Sequence, residues 1–159
     1  MTSLNEESIR QALAGDPLVG REVRVLPEVG STNDYLKEAA RGGAPEGLAV
    51  LAERQTAGKG RLGRSFQSPA GLGLWMSVLL RPTCPPERLP PVTALTAAAW
   101  AGAIREVCGA EVGVKWPNDL VLDGRKLCGI LTELESGGEG LALVIGIRLN
   151  VSQRREDFP

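Results

Sequence analysis

Residues 112–151 read VGVKWPNDLVLDGRKLCGILTELESGGEGLALVIGIRLNV. The short apolar runs VGVKW, LVL, RKLCGILTELE and LALVIGIRLNV are separated by Pro-Asn-Asp, by Asp123-Gly124 and by Ser-Gly-Gly-Glu-Gly. Each break is a turn signal, so the stretch is predicted as antiparallel strands joined by tight turns. In the last strand Leu143, Ile145, Ile147 and Leu149 face one way, leaving Val144, Gly146, Arg148 and Asn150 on the other. Arg148 is therefore expected beside Asn150 and outside the core, where an unpaired guanidinium is prohibitively costly.

Upstream, helices and strands alternate. Ser3-Leu4-Asn5-Glu6 has the form of a capping box before a short helix carrying Ile9, Ala12 and Leu13, stopped by Gly15. VRVL (23–26) is predicted as a strand, Ser31-Thr32-Asn33 as the polar cap of a helix ending at Gly42-Gly43. LAVLAE (48–53) and LWMSVLL (74–80) are two further strands, with a glycine-rich basic loop between them. PTCPPERLPP (82–91) excludes regular structure, and VTALTAAAWAGAIREVC, closed by Gly109, is the longest helix. The expected class is α+β: a mixed, mostly antiparallel sheet covered by helices. The length, 159 residues, fits one domain with a core that stands alone.

Composition removes several chemistries. The chain has no histidine, which excludes Ser-His-Asp and Cys-His nucleophiles, HExxH zinc sites and imidazole proton shuttling. Eighteen basic and 19 acidic residues give a net charge of -1, so no global field draws the chain to nucleic acid or membrane. Cys84, Cys108 and Cys128 form no CxxC pair and suit buried thiols in a reducing compartment. MTSLNEESIR lacks the basic and apolar regions of a signal peptide, and no apolar stretch reaches membrane-spanning length, so a cytoplasmic protein is expected.

Three segments can carry chemistry. In GKGRLGR (58–64), glycines let the backbone approach a ligand while Lys59, Arg61 and Arg64 offer charge to an anion. The competing reading is a solvated basic loop. Gly58, Gly60 and Gly63 satisfy GxGxxG, but no helix follows to hold a pyrophosphate, which excludes a Rossmann turn. The missing histidine excludes a protein-kinase catalytic loop, and Gly60 after Lys59 excludes a Walker A motif. KWPND (115–119) brings together a cation, an aromatic, an amide and a carboxylate, or is simply a turn with a surface lysine. Lys126 is either an exposed strand lysine or a point charge directed into a pocket. Trp75, Trp100 and Trp116 are assigned to packing.

In order and spacing, STN, QTAGKGRLGR, KWPND, GRKLCGIL and VIGIRLNV resemble the catalytic domain of biotin protein ligases, from about Val25 to the end of the chain. The resemblance implies the biotin/lipoate protein ligase (class II synthetase-like) catalytic fold, one domain over 1–159 with residues 1–22 as a helical extension; only about two dozen residues precede the catalytic region, too few for a winged helix-turn-helix, so no separate DNA-binding domain is expected. It implies an enzyme that joins biotin and ATP into biotinyl-5′-AMP and passes biotin to a lysine of the biotin carboxyl carrier protein of acetyl-CoA carboxylase, with Mg2+ accompanying ATP. No DNA or membrane partner is implied, and a homodimer is compatible. By the same resemblance Ser31, Thr32, Asn33, Gln55, Lys59, Gly60, Arg61 and Lys126 bind biotin. Gly58, Lys59, Arg61, Arg64, Phe66, Lys115, Asn118 and Asn150 meet the nucleotide, Arg61, Lys126 and Asp119 are catalytic, and Asp119 is nearest the metal.

Against the family pattern, Lys59 replaces an arginine, Phe66 a tryptophan and Arg148 a glycine, and the chain ends at Pro159 where relatives continue into a small SH3-like domain. Two alternatives are a lipoate or octanoate transferase of the same superfamily and a non-catalytic biotin- or adenylate-binding domain.

Overall fold

The structure, a computed structural model, describes residues 4–137 and 140–157. Seven strands form one mixed sheet: β1 (Glu22–Val29), β2 (Leu48–Gln55), β3 (Gly73–Leu80), β4 (Gly113–Lys115), β5 (Asp119–Leu122), β6 (Arg125–Gly137) and β7 (Gly140–Asn150). Their spatial order is β1-β2-β3-β7-β6-β5-β4, with β1 and β2 parallel and every other neighbouring pair antiparallel. The β5–β6 hairpin is closed by Asp123 (φ 50°) and Gly124 (φ 73°), the two left-handed residues that match the twist of paired strands.

Helices α1 (Glu6–Ala12), α2 (Thr32–Arg41) and α3 (Pro91–Cys108) complete the domain. The N-cap residue of α1 is Asn5, which accepts from the Ser8 amide at 2.8 Å. Ser3 itself lies outside the described residues, as do Gly138 and Glu139 of the SGGEG turn. Helix α3 starts with Pro91 at its first position and stops at Gly109 in the left-handed conformation, whose N–H donates to the Arg105 carbonyl at 2.8 Å. The proline-rich segment before it contains one 3-10 turn, Pro86–Arg88, despite its composition.

The helices cover opposite faces of the sheet. Leu143, Ile145 and Ile147 of β7 pack with Ile130, Leu120, Ala97 and Ile104 on the α3 side, while Ala142 and Val144 pack with Leu36, Ala40, Val50 and Leu79 on the α2 side. Strand β7 is consequently buried without interruption from Ala142 to Arg148. This corrects the expected position of Arg148. The alternation along β7 is as predicted, but the second face is covered by α2 and is as dry as the first, so Arg148 is only 2% exposed. The cysteines divide too: Cys128 is buried and its thiol is pushed up to about 12 by desolvation, whereas Cys108 is exposed. Trp75 is buried and Trp116 stands 75% exposed. No helix among the described residues is long and apolar enough to cross a membrane.

Candidate active site

One end of the sheet collects all the segments singled out above. Ser31 follows the C-terminal end of β1 and Gln55 closes β2, while β3 begins opposite the end of β7, where Gly73 pairs with Asn150 and Trp75 with Arg148. Strand β6 begins there as well, with Gly129 paired to Arg148 on one side and to Asp119 on the other. The loop carrying Gly58–Arg64 connects β2 to β3 across this end. It is folded on itself: the Gly60 amide donates to the Arg64 carbonyl at 2.7 Å and the Phe66 amide to the Gly58 carbonyl at 2.8 Å. A Cβ on Gly58 would collide with the Phe66 carbonyl, so glycine is required there by close approach.

Burial separates this end from the rest of the molecule. The buried polar residues among those described are Ser31, Thr32, Asn33, Gln55, Ser68, Ser77 and Arg148, and every one of them lies here. Buried polar groups are costly unless bonded, so a concentration of them marks a place built for something other than packing. Gln55 donates to Ser68 Oγ at 2.9 Å and accepts from the Thr32 amide at 2.9 Å; the Thr32 hydroxyl lies 3.0 Å from the same Gln55 oxygen. Ser77 Oγ stands 2.7 Å from Thr32 Oγ1 and 2.6 Å from Asn33 Oδ1. Two hydroxyl protons therefore serve three short contacts, which leaves the cluster one donor short. Ser31 is the N-cap residue of α2, as expected, but its Oγ is buried with no partner and makes no capping bond.

Asn33 extends the network, donating to Glu133 Oε2 at 2.7 Å, and Lys37 donates to Glu133 Oε1 at 2.9 Å. Arg41 reaches Glu135 at 3.0 Å. The spacing is geometric: four residues of helix rise about 6 Å and two residues of strand about 6.6 Å, so i, i+4 on α2 runs level with j, j+2 on β6. Burial alone would raise the Glu133 carboxyl, but Asn33 and Lys37 hold it below its ordinary value.

Around the cluster stand three cations, each resting on an acceptor. Lys59 Nζ pairs with Asp34 at 2.7 Å, Arg61 Nη1 donates to Asn118 Oδ1 at 3.0 Å, and Lys126 Nζ pairs with Asp119 at 2.9 Å. Burial pushes the Asp34 carboxyl up, yet Lys59 and Lys37 outweigh it and hold the group ionised below the usual range. Lys59 and Lys126 are each 45% exposed at the side chain, oriented but open to an incoming anion. Lys126 also lies 5.8 Å from the Phe66 ring centroid, within cation–π range, and Phe66 meets Trp75 edge to face at 6.0 Å. A Cβ on Gly129 would stand 3.1 Å from Lys126 Cε, so its bare backbone leaves Lys126 room.

Of the residues singled out in the sequence, Ser31, Thr32, Asn33 and Gln55 form the buried cluster, and Lys59, Arg61, Asn118, Asp119 and Lys126 form the charged surround. Asn150 donates to the Lys126 carbonyl at 3.4 Å. Lys115 is exposed on β4 and Arg64 is exposed at the loop's end. Among the described residues no group of three acidic or cysteine side chains could hold a metal ion. Sequence reasoning missed Asp34, Lys37, Ser68, Ser77 and Glu133. Asp34 was open to discovery, being adjacent to Ser31-Thr32-Asn33; Ser68, Ser77 and Glu133 depend on strand pairing.

The Biotin/lipoate A/B protein ligase family matches residues 25–150, the span that holds the whole of this end of the sheet. The chain belongs to that family. It is 40% identical over 157 residues to the bifunctional ligase/repressor BirA of Bacillus subtilis, covering 98% of this chain and 48% of that protein. It is 36% identical to the biotin--[acetyl-CoA-carboxylase] ligase of Mycobacterium tuberculosis, covering 97% of this chain and 58% of that one. The biotin protein ligase of Aquifex aeolicus, solved in complex with biotin and ATP, superposes with a TM-score of 0.70 at 37% identity over 87% of this chain and 55% of that one. The chain thus spans about half the length of the curated relatives it matches. The expected family, α+β class and mostly antiparallel sheet are all borne out.

Proposed function

We propose that this chain is the catalytic region of a cytoplasmic biotin protein ligase, which activates biotin with ATP and transfers it to a lysine of a biotin carboxyl carrier protein. The observation that carries the reading is the concentration of the chain's buried polar residues at the end of the sheet ringed by Lys59, Arg61 and Lys126. The family match, and the biotin and ATP bound by a relative of the same fold, support it.

In the first step a biotin carboxylate oxygen attacks the α-phosphorus of ATP and pyrophosphate leaves. Both reactants are anionic, and two unit charges about 4 Å apart repel by about 4 kcal/mol at a protein surface. Lys126 and Lys59, held by Asp119 and Asp34 and half-exposed, supply the opposing charge, and Arg61 adds a fork that binds phosphate oxygens. The enzyme needs no covalent intermediate, in keeping with the absence of histidine. In the second step the amine of a carrier lysine attacks the acyl carbon, the bond to AMP breaks and a proton leaves the new amide. Magnesium enters with ATP as part of the substrate, and Asp119 is the carboxylate that would stand nearest it.

Incubating the chain with biotin, MgATP and a carrier domain, and weighing the carrier, tests this. Addition of one biotinyl group is expected. An unmodified carrier, together with no biotinyl-5′-AMP in the quenched mixture, would overturn it.

A further inference from the structure

The buried cluster contains one member that its hydrogen bonding does not explain. Arg148 is, with Trp75, among the largest fully buried side chains of the molecule, and its Nε and Nη2 have no partner. Its guanidinium lies against the bare α-carbon of Gly146: a Cβ built there would be 3.2 Å from Arg148 Nη1 and would collide with Asn33 Oδ1. Gly146 pairs with Ser77 in the ladder and Arg148 with Trp75 and Gly129, which sets the guanidinium on the α2 side of the sheet next to the donor-short Thr32–Ser77–Asn33 cluster.

Donors are missing from that cluster, Ser31 Oγ lacks any partner, and Arg148 carries unused donors, yet no bond joins them. The guanidinium fills this space as volume and not as a hydrogen-bonding component. Three neighbouring cavities, of about 700, 260 and 420 Å3, are lined by other residues; none of the three reaches Ser31, Thr32, Asn33 or Arg148. The space between α2 and β7 is occupied by the protein's own side chain.

We propose that Arg148 is a specificity-determining residue: its guanidinium occupies the seat beside Gly146 and Asn33 that the head of an acyl substrate would fill, so that acid and guanidinium exclude one another. This rests on the ligase reading given above and adds to it which residue sets the affinity for the acid. A glycine side chain at 148 leaves the seat open. Arginine leaves it open only in the fraction of molecules whose side chain has swung out, and apparent affinity falls by that fraction. The swing is not heavily opposed, because the buried guanidinium gives up no hydrogen bond at Nε or Nη2 and regains its hydration. ATP, whose phosphates meet the outer cations, is unaffected.

The experiment is calorimetric titration of the parent chain, Arg148→Gly and Arg148→Met with biotin, octanoate and lipoate, with steady-state kinetics for biotin and ATP. Arg148→Ala stands in if the glycine variant loses its circular dichroism spectrum. Arg148→Gly is expected to bind biotin about tenfold tighter or more, with a lowered KM for biotin and an unchanged KM for ATP. Arg148→Met, which keeps most of the volume but regains no hydration by leaving the seat, is expected to bind biotin no more tightly than the parent. Gain for octanoate or lipoate but none for biotin supports the role of Arg148 and refutes biotin as the substrate. Equal biotin binding by parent and Arg148→Gly, with carrier modification intact, overturns the proposal and leaves the ligase reading standing. Weaker binding by Arg148→Gly, or no binding of any acid by either protein, overturns it as well.

Discussion

Arg148→Met is expected to make the protein more stable, an outcome that runs against the usual cost of altering a buried residue. Desolvation pulls the guanidinium well below its ordinary range, to about 10, with attraction to the Glu133 and Asp34 carboxylates recovering part of the loss. That fall corresponds to a penalty of about 3 kcal/mol for carrying the charge in the folded state. From about pH 10 up to the ordinary guanidinium range the folded state binds fewer protons than the unfolded one, so stability rises with pH there; below about 10 the penalty is present in full. Methionine fills comparable space without a charge or an orphaned donor. The gain is at most the whole penalty, or about 6–12 °C in Tm for a domain of this size. Urea denaturation of both proteins at about pH 6, 7.5 and 9 measures it, and the difference is expected to be the same at all three values. A methionine variant less stable than the parent would mean that the guanidinium is partnered in solution and carries no such penalty.

Three other substitutions test neighbouring parts of the site. Lys126→Ala is expected to lower the rate of adenylate formation by about 10²–10³ while leaving the circular dichroism spectrum unchanged, because Lys126 is half-exposed and its proposed role is to set its charge against the phosphate oxygens; pyrophosphate release at the parent's rate would remove it from the mechanism. Gly146→Ala places a methyl group against the buried Asn33 oxygen and is expected to cost about 1–3 kcal/mol in urea denaturation and to weaken biotin binding, with wild-type values for both counting against the seat beside Gly146. Glu133 is held ionised below its ordinary value of 4.5 by Asn33 and Lys37, so its contribution is present above that pH and is lost as pH falls through the lower folded value. Glu133→Gln is expected to cost about 1 kcal/mol at neutral pH and to flatten the acid limb of the stability curve; an acid limb identical to the parent's would contradict the pairing.

The β5–β6 hairpin and the end of α3 were legible because they are written in residue types that few other conformations accept: Asp123-Gly124 supplies two left-handed residues to the hairpin, and Gly109 one at the helix end. The basic loop was legible for a similar reason, glycine being required where backbone segments nearly touch. Covering of the second face of β7 was not legible. Alternation states which residues share a face but is silent on what packs there, and Val144, Gly146 and Arg148 look the same in sequence whether α2 or solvent lies above them. Glu133 and Ser77 were hidden for a related reason, since each gains its meaning from Asn33, separated from them by 100 and 44 positions in the chain. The three cations were found as charges, but their pairings with Asp34, Asn118 and Asp119 join segments that meet only at the folded end of the sheet.

In the proposed function the buried polar cluster and the ring of Lys59, Arg61 and Lys126 form a single site in which a carboxylate meets the α-phosphate of ATP. Exchange of labelled pyrophosphate into ATP measures that step without any carrier protein. Exchange is expected to require biotin, to saturate with it and to disappear when biotin is withheld; exchange that proceeds equally without biotin, or none at saturating biotin and MgATP, rules the single site out.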